Sequence, residues 1–323
     1  MKHQYLVAAA LAVSFISSPL VAKELVMGTG GPTGNYFGMG NDIAEYCADE
    51  VTDFDLTITN SGGSVDNLLG ITNKKYALGM VQEDVLNFHA KRSPKQVNKN
   101  RIKVLSGLHE EAVHLLIPKN YKPKGNDSGG MWTKWFGGSE KKAQKFELPM
   151  LKGQTVGSWG GSMVSAQALS YFFNLNLSVV EAANNPNDTS MPLVLVGGAP
   201  YAVVDEYLKT GKWTLAELDY DQISQTAGFY SKQNVNYQIA GKVQSIETVG
   251  VRALLVGKSF RKKKRNASMI ELATCIYANV ADLADDPNTN PNWASVYDYL
   301  EDEGQSDWSY FPLDEDKLED EEY

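Results

Sequence analysis

Five times along this chain a short apolar stretch runs into a turn of small or polar residues and then into a helical pattern. That recurrence constrains the fold more than any other feature. Glu24–Met27 leads into Gly28-Thr29-Gly30-Gly31-Pro32-Thr33-Gly34, and a helix is predicted over Tyr36–Glu50. Leu56–Thr59 leads into Asn60-Ser61-Gly62-Gly63-Ser64 and a helix reaching Ile71, and Tyr76–Val81 leads into Gln82-Glu83-Asp84 and a third helix. The pattern restarts at Thr155–Ser158 with Gly160-Gly161-Ser162 and a helix over Val164–Phe173. It recurs at Leu193–Val196 with Gly197-Gly198-Ala199-Pro200 and a helix over Tyr201–Lys209. Strands alternating with helices in this way predict an α/β fold with a largely parallel sheet. All the turns then fall on the carboxyl edge of the strands, where open α/β sheets bind ligands.

Between the two groups, Val104–Ile117 reads as an extended apolar passage interrupted by His109-Glu110-Glu111, and Asn120–Met150 as an irregular insertion carrying Trp132, Trp135 and Phe136. Val249–Gly257 is one more apolar strand before a helix over about residues 266–284. These breaks predict two lobes, residues 23–116 with 252–300 and residues 117–251, hinged about a cleft.

Residues 1–22 read as a secretory signal peptide: Lys2 and His3, an apolar run from Tyr5 to Ile16, then Ser17-Ser18-Pro19 and a small residue at Ala22. The expected compartment is therefore periplasmic, which permits but does not require a bridge between the two cysteines, Cys47 and Cys275. The net charge of −9 is set by the end of the chain. Residues 301–323 hold eleven acids and one lysine, leaving +1 for everything before them. Such an acidic tail is expected to be solvated. The basic run Arg261-Lys262-Lys263-Lys264-Arg265 lacks the interleaved aromatics of a nucleic-acid surface and reads as the run-in to the following helix.

Several chemistries fail on spacing. Gly28-x-Gly30 begins a dinucleotide turn, but Thr33 stands where the third glycine belongs. Ser162 has no nucleophile elbow around it, and His109 and His114 miss the zinc-helix spacing by one residue. Neither cysteine has a Cys-x-x-Cys partner, and no cofactor or metal is expected. What remains is a set of helix-opening turns whose backbone N–H groups suit an anion, or which are plain helix caps. Ser61, Ser64, Ser162 and Asn67 add side-chain donors to them.

At these turns the sequence resembles the TAXI family, the TRAP-associated extracytoplasmic solute receptors. The resemblance rests on five blocks in the same order. They are Met27–Phe37, with its glycine-rich turn ending in Tyr36-Phe37; Ser61-Gly62-Gly63-Ser64-Val65-Asp66-Asn67; Gln82-Glu83-Asp84; Leu105–His114; and Leu151-Lys152-Gly153-Gln154-Thr155-Val156-Gly157 with the strand that follows it. It implies a type II periplasmic-binding-protein fold, delivery of solute to membrane permease subunits, and a small carboxylate or amino acid, glutamate- or glutamine-like, as ligand. It also implies a cleft lined by Thr29, Gly30, Tyr36, Ser61, Ser64, Asn67, Gln82, Asp84, His114, Gly161, Ser162 and Gly198. Asp84 would meet an ammonium or cap its helix, and Arg252 would read a carboxylate or serve a structural ion pair. Two other readings stay open: an exported enzyme using His114 beside a Ser or Asp, and a receptor for a membrane sensor.

Overall fold

The computed structural model describes residues 23–123, 146–301 and 306–319. Residues 1–22, read as a signal peptide, and Trp132, Trp135 and Phe136 of the expected insertion lie outside the described residues. The first three units are β1 (Lys23–Gly28), α1 (Asn35–Cys47), β2 (Phe54–Thr59), α2 (Ser64–Thr72), β3 (Leu78–Gln82) and α3 (Glu83–Arg92). The long strand β4 (Ile102–Pro118) follows, then β5 (Thr155–Ser158), α4 (Ser162–Phe172), β6 (Ser178–Glu181), β7 (Leu193–Gly197) and α5 (Ala202–Lys209). Next come β8 (Trp213–Leu215), α6 (Tyr220–Thr226), β9 (Tyr230–Ile239) and a second long strand, β10 (Lys242–Lys258). The chain closes with α7 (Lys263–Ala278), α8 (Val280–Asp285), α9 (Trp293–Glu301) and α10 (Glu315–Glu319).

All ten strands form one sheet, ordered β2-β1-β3-β10-β4-β7-β5-β6, with β8 on β4 and β9 on β10. β1 is parallel to β2 and β3, and β5 is parallel to β6 and β7. β3 and β7 are buried at every residue, as strands covered on both faces must be. Four apolar clusters do the covering, two on each half. α1 and α7 to α9 pack on one face of the first half, and α2 and α3 on the other. In the second half α4 lies on one face and α5 on the other.

β4 and β10 carry the chain between the halves. Residues 253–257 of β10 pair with β3 and residues 242–251 with β9. Along β4, residues 102–107 face the far end of β10, and residues 112–116 pair with β7. The architecture is thus an α/β clamp of two lobes joined by crossing strands.

Several expectations need correction. His109-Glu110-Glu111 does not interrupt the extended passage: β4 is continuous over 17 residues, with a register shift against β10 between Arg252 and Leu254 where the strands cross. An extra residue there bends the strand. The predicted single helix over 266–284 is two, broken at Asn279, whose side-chain amide donates to the Cys275 carbonyl at 2.9 Å.

The acidic tail is not simply solvated. Trp308 and Phe311 are buried in the first lobe, and Val104 exchanges backbone bonds with Ser309 (3.0 Å) and Phe311 (2.8 Å). Their apolar area outweighs the neighbouring acids, which stay outside. Cys47 and Cys275 form a disulfide with Cα atoms 5.8 Å apart, fastening the end of α1 to α7. No helix among the described residues is long and apolar enough to cross a membrane.

Candidate functional site

The five turns after β1, β2, β3, β5 and β7 meet at one cavity of about 480 Å³ between the lobes. Of the residues named from sequence, Gly30, Tyr36, Ser61, Ser64, Gln82, Gly161, Ser162 and Gly198 line it. Thr29, Asn67, Asp84 and His114 lie behind its wall, buried, and shape it from there.

Asn67 donates to the carbonyls of Thr29 (2.6 Å) and Met80 (2.7 Å), tying the turn after β1 to β3. Any side chain at Gly28 would collide with Asn67 and Tyr76, so the first glycine is required by packing. Ser61 Oγ donates to the Thr29 carbonyl at 2.9 Å and accepts from the Gly63 N–H at 3.1 Å. Gly63 itself has φ of +85°, a conformation open to glycine, and it delivers the chain into α2. Ser64 Oγ accepts from the Gln82 N–H at 3.0 Å. In the second lobe Ser162 Oγ accepts from the Val196 N–H at 2.9 Å. These hydroxyls are therefore engaged in holding turns together.

The consequence for a ligand is in the backbone. α1, α2 and α4 begin after Gly34, Gly63 and Gly161, and none of the three has a side-chain cap. Three helix starts, two from one lobe and one from the other, thus bring unsatisfied N–H groups and positive dipole ends to the same cavity.

Among the described residues the lining holds no lysine or arginine, and its one charged side chain is Glu111. Glu111 projects from β4 at the crossing, accepts from Gln82 Nε2 at 2.5 Å and lies 3.8 Å from His109 Nε2. Burial, and then the Glu111 charge, hold the Tyr36 phenol well above its ordinary pKa. The same two causes raise Tyr201.

Asp84 is buried beneath the cleft. Its Oδ1 accepts from the Val85 N–H at 2.7 Å, and burial pushes its carboxyl up to about 6. His114 is held down at about 4 by burial, and its Nε2 lies 2.8 Å from the Tyr237 hydroxyl. That hydroxyl accepts from the Tyr201 N–H at 2.9 Å, so His114 fixes the turn carrying Gly198 and Tyr201. Arg252 stands 3.5 Å from Glu110 in an ion pair. Both border an adjoining cavity of about 710 Å³ that shares Asn35, Gly198 and Tyr201 with the first.

Sequence reasoning did not single out Asn35, Glu111, Trp159 or Tyr201 as lining residues. For Glu111 a signal existed, an acid in the middle of an apolar extended stretch. Trp159 and Tyr201 flank glycine turns already marked as ligand-facing.

The profile of the NMT1-like family matches residues 27–127, which span the three units of the first lobe and β4. No curated protein matches the chain. Among solved structures, the GluR0 ligand-binding core in complex with L-glutamate is 11% identical, with 85% of this chain and 99% of that one covered and a TM-score of 0.41. A TctC solute-binding protein from Polaromonas is 11% identical over 88% and 100%, with a TM-score of 0.42. A histidine kinase sensor domain with similarity to periplasmic binding proteins is 7% identical over 85% and 94%, with a TM-score of 0.43. Likenesses this distant carry nothing about ligand or partner.

Proposed function

We propose that this chain is the periplasmic solute receptor of a TRAP-type secondary transporter, of the TAXI kind, which closes its lobes on a small amino acid and hands it to membrane permease subunits. The observation that carries the reading is the charge layout of the cleft. Three uncapped helix starts supply donors for a carboxylate, and Glu111 supplies a single counter-charge for an ammonium. A dicarboxylate without an ammonium would meet Glu111 as a like charge, which favours the amino-acid half of the original expectation. Solute bridging α1 and α2 of one lobe to α4 of the other stabilises the closed state by its extra contacts.

The enzyme reading would need a nucleophile and base at the cavity. His114 stands behind the wall with a tyrosine as its neighbour, and Ser64 and Ser162 are bonded to backbone. A disulfide in the first lobe fits an oxidising compartment.

Titration calorimetry on mature protein, unfolded and refolded to strip bound solute, tests the proposal against L-glutamate, L-glutamine, 2-oxoglutarate, succinate and pyruvate. The expected result is saturable binding of an amino acid, recovered unchanged, with the keto and dicarboxylic acids weaker. Preference for 2-oxoglutarate or succinate would overturn the role of Glu111, and turnover of any compound would overturn the receptor reading.

A further inference from the structure

A second cavity, of about 500 Å³, lies at the rear of the first lobe. Its lining includes the segment before β3 and the residues just before β4 and just after β10. Because β10 runs antiparallel to β3, these all sit at the amino edge of the first lobe's parallel strands, the end opposite the cleft.

Six cations line this cavity: Lys74, Lys75, Arg101, Lys258, Arg261 and Arg265. Among the described residues it has no acidic lining residue. The chain before residue 301 sums to only +1, so this is a strong local concentration. Lys75 is paired with Asp66 at 3.7 Å. Lys74, Arg101, Lys258 and Arg261 make no ion pair among the described residues.

Three further observations point to an anion that fits among them. First, α7 opens with the wrong sign: Lys262 holds the N-cap position without a side-chain cap, Lys263, Lys264 and Arg265 follow, and no acid stands in the first turn. Lys264 is paired with Asp53 at 3.2 Å, which leaves Arg265 as the cavity-lining cation of the first turn, beside the positive end of the helix dipole, where a bound anion would be favourable.

Second, Arg265 is set in place before any ligand arrives. Its guanidinium lies over the rings of Phe54 (5.4 Å) and Phe260 (4.7 Å) and donates to the Glu24 carbonyl at 3.2 Å, while its Nε, out of reach of solvent, has no acceptor. The adjoining loop is fixed as well. Asn266 exchanges two 2.7 Å bonds with the Phe260 backbone, and the Ser259 N–H donates to the Arg101 carbonyl at 2.8 Å.

Third, Lys258 is made a poorer cation by burial and by the charges of Arg101 and Lys74. An anion in the cavity would reverse that repulsion.

We propose that this rear cavity is an anion site for a phosphate-type oxyanion, either free or as the head group of an acidic lipid. Guanidinium and ammonium donors from four separate segments surround it, and Arg265 adds a guanidinium already fixed in place by its two rings and the Glu24 carbonyl. The site is independent of the amino-acid reading of the cleft.

The test uses mature protein at low ionic strength and two probes. Calorimetry measures inorganic pyrophosphate, and co-sedimentation measures phosphatidylcholine vesicles with and without phosphatidic acid. The expected result is binding of at least one probe that weakens with added salt. It should weaken about tenfold in Lys258→Gln, the loss of one charge-assisted contact. Lys74→Gln, at an exposed position that does not threaten folding, should weaken it in the same direction. Binding of pyrophosphate alone assigns a free anion; retention only on phosphatidic acid vesicles assigns a lipid head group. Absence of binding to both probes, or binding undiminished in both lysine variants, would overturn the proposal.

Discussion

The cleft and the rear cavity of the first lobe are close in size, about 480 and 500 Å³, and both are suited to negative charge, but they are built from opposite materials. The cleft draws on backbone N–H groups at three helix starts and admits no lysine or arginine among the described residues. The rear cavity draws on six side-chain cations. Backbone donors are fixed and partial, so they leave Glu111 available to a ligand ammonium. A lysine in the same place would pair with Glu111 and compete with the solute. The rear cavity, with no acid to protect, can afford full charges. The contrast separates selectivity for a zwitterion, which needs both signs held apart, from capture of an oxyanion, which needs only one.

The sharpest way to break that contrast is Glu111→Gln. If the carboxylate receives an ammonium, removing its charge from this enclosed site should weaken amino-acid binding by about 2–4 kcal/mol, some 30- to 1,000-fold. The variant keeps a partner for Gln82, so folding should be preserved, and a thermal melt checks this. Calorimetry showing unchanged affinity would remove Glu111 from the site and with it the distinction between the two cavities.

The disulfide tests whether the two are mechanically joined. It links α1, whose start lines the cleft, to α7, whose start lines the rear cavity. Replacing Cys47 and Cys275 by serine opens a loop of 228 residues and should cost about 2–4 kcal/mol of stability, read from denaturant unfolding. Both binding activities should weaken together as the first lobe loosens. Loss of only one would show that α1 and α7 hold their sites separately.

How much of this was legible in the sequence differs between the two regions in the same way. The cleft was largely legible because its parts are local: a buried strand, a glycine where the chain must turn tightly, and a helix start. Each leaves its mark within about ten residues, and eight of the twelve named residues line the cavity.

Glu111 was harder, because three polar residues in an apolar run read as a break. Only the pairing of β4 with β10 and β7 reveals that the strand crosses between lobes there. β9 went unmarked although Tyr230, Val235 and Tyr237 are buried between exposed polar neighbours, the trace of a half-buried strand. The rear cavity was illegible for a different reason. Its cations come from the end of α2, the start of β4, the end of β10 and the start of α7, segments far apart in sequence. Trp308 and Phe311 were obscured by the acids around them.

A smaller effect distinguishes the cavities by pH. Burial raises the Asp84 carboxyl from 3.8 to about 6, so the folded protein holds that proton longer than the unfolded chain. The corresponding stability is full below about pH 4 and is lost as pH rises through about 6. Glu83, raised to about 7 by burial, acts with the same sign. His114, lowered to about 4, acts against them, its contribution present above about 6.5 and lost as pH falls through about 4. Asp84→Asn should therefore stabilise the protein at pH 8 by about 2 kcal/mol and change little at pH 4. Asp84 underlies the cleft, so amino-acid affinity should follow this window, whereas oxyanion affinity at the rear should not. Parallel titrations of both probes at pH 5 and pH 8 in the parent and the variant make the comparison.

The smallest expected change is also the most discriminating for the rear cavity. Lys75 has a side chain 60% exposed, and it already has a partner in Asp66 at 3.7 Å. Removing it frees a nearby carboxylate, but across solvent, where exposed pairs are worth about 0.2–1 kcal/mol. Lys75→Gln should therefore weaken pyrophosphate or vesicle binding only about two- to fivefold at low salt, less than Lys258→Gln, and the difference should vanish as salt screens the rim. Equal effects from the two substitutions would mean that the anion sits on a diffuse basic surface rather than inside the cavity, and the rear site would then differ from the cleft in kind as well as in chemistry.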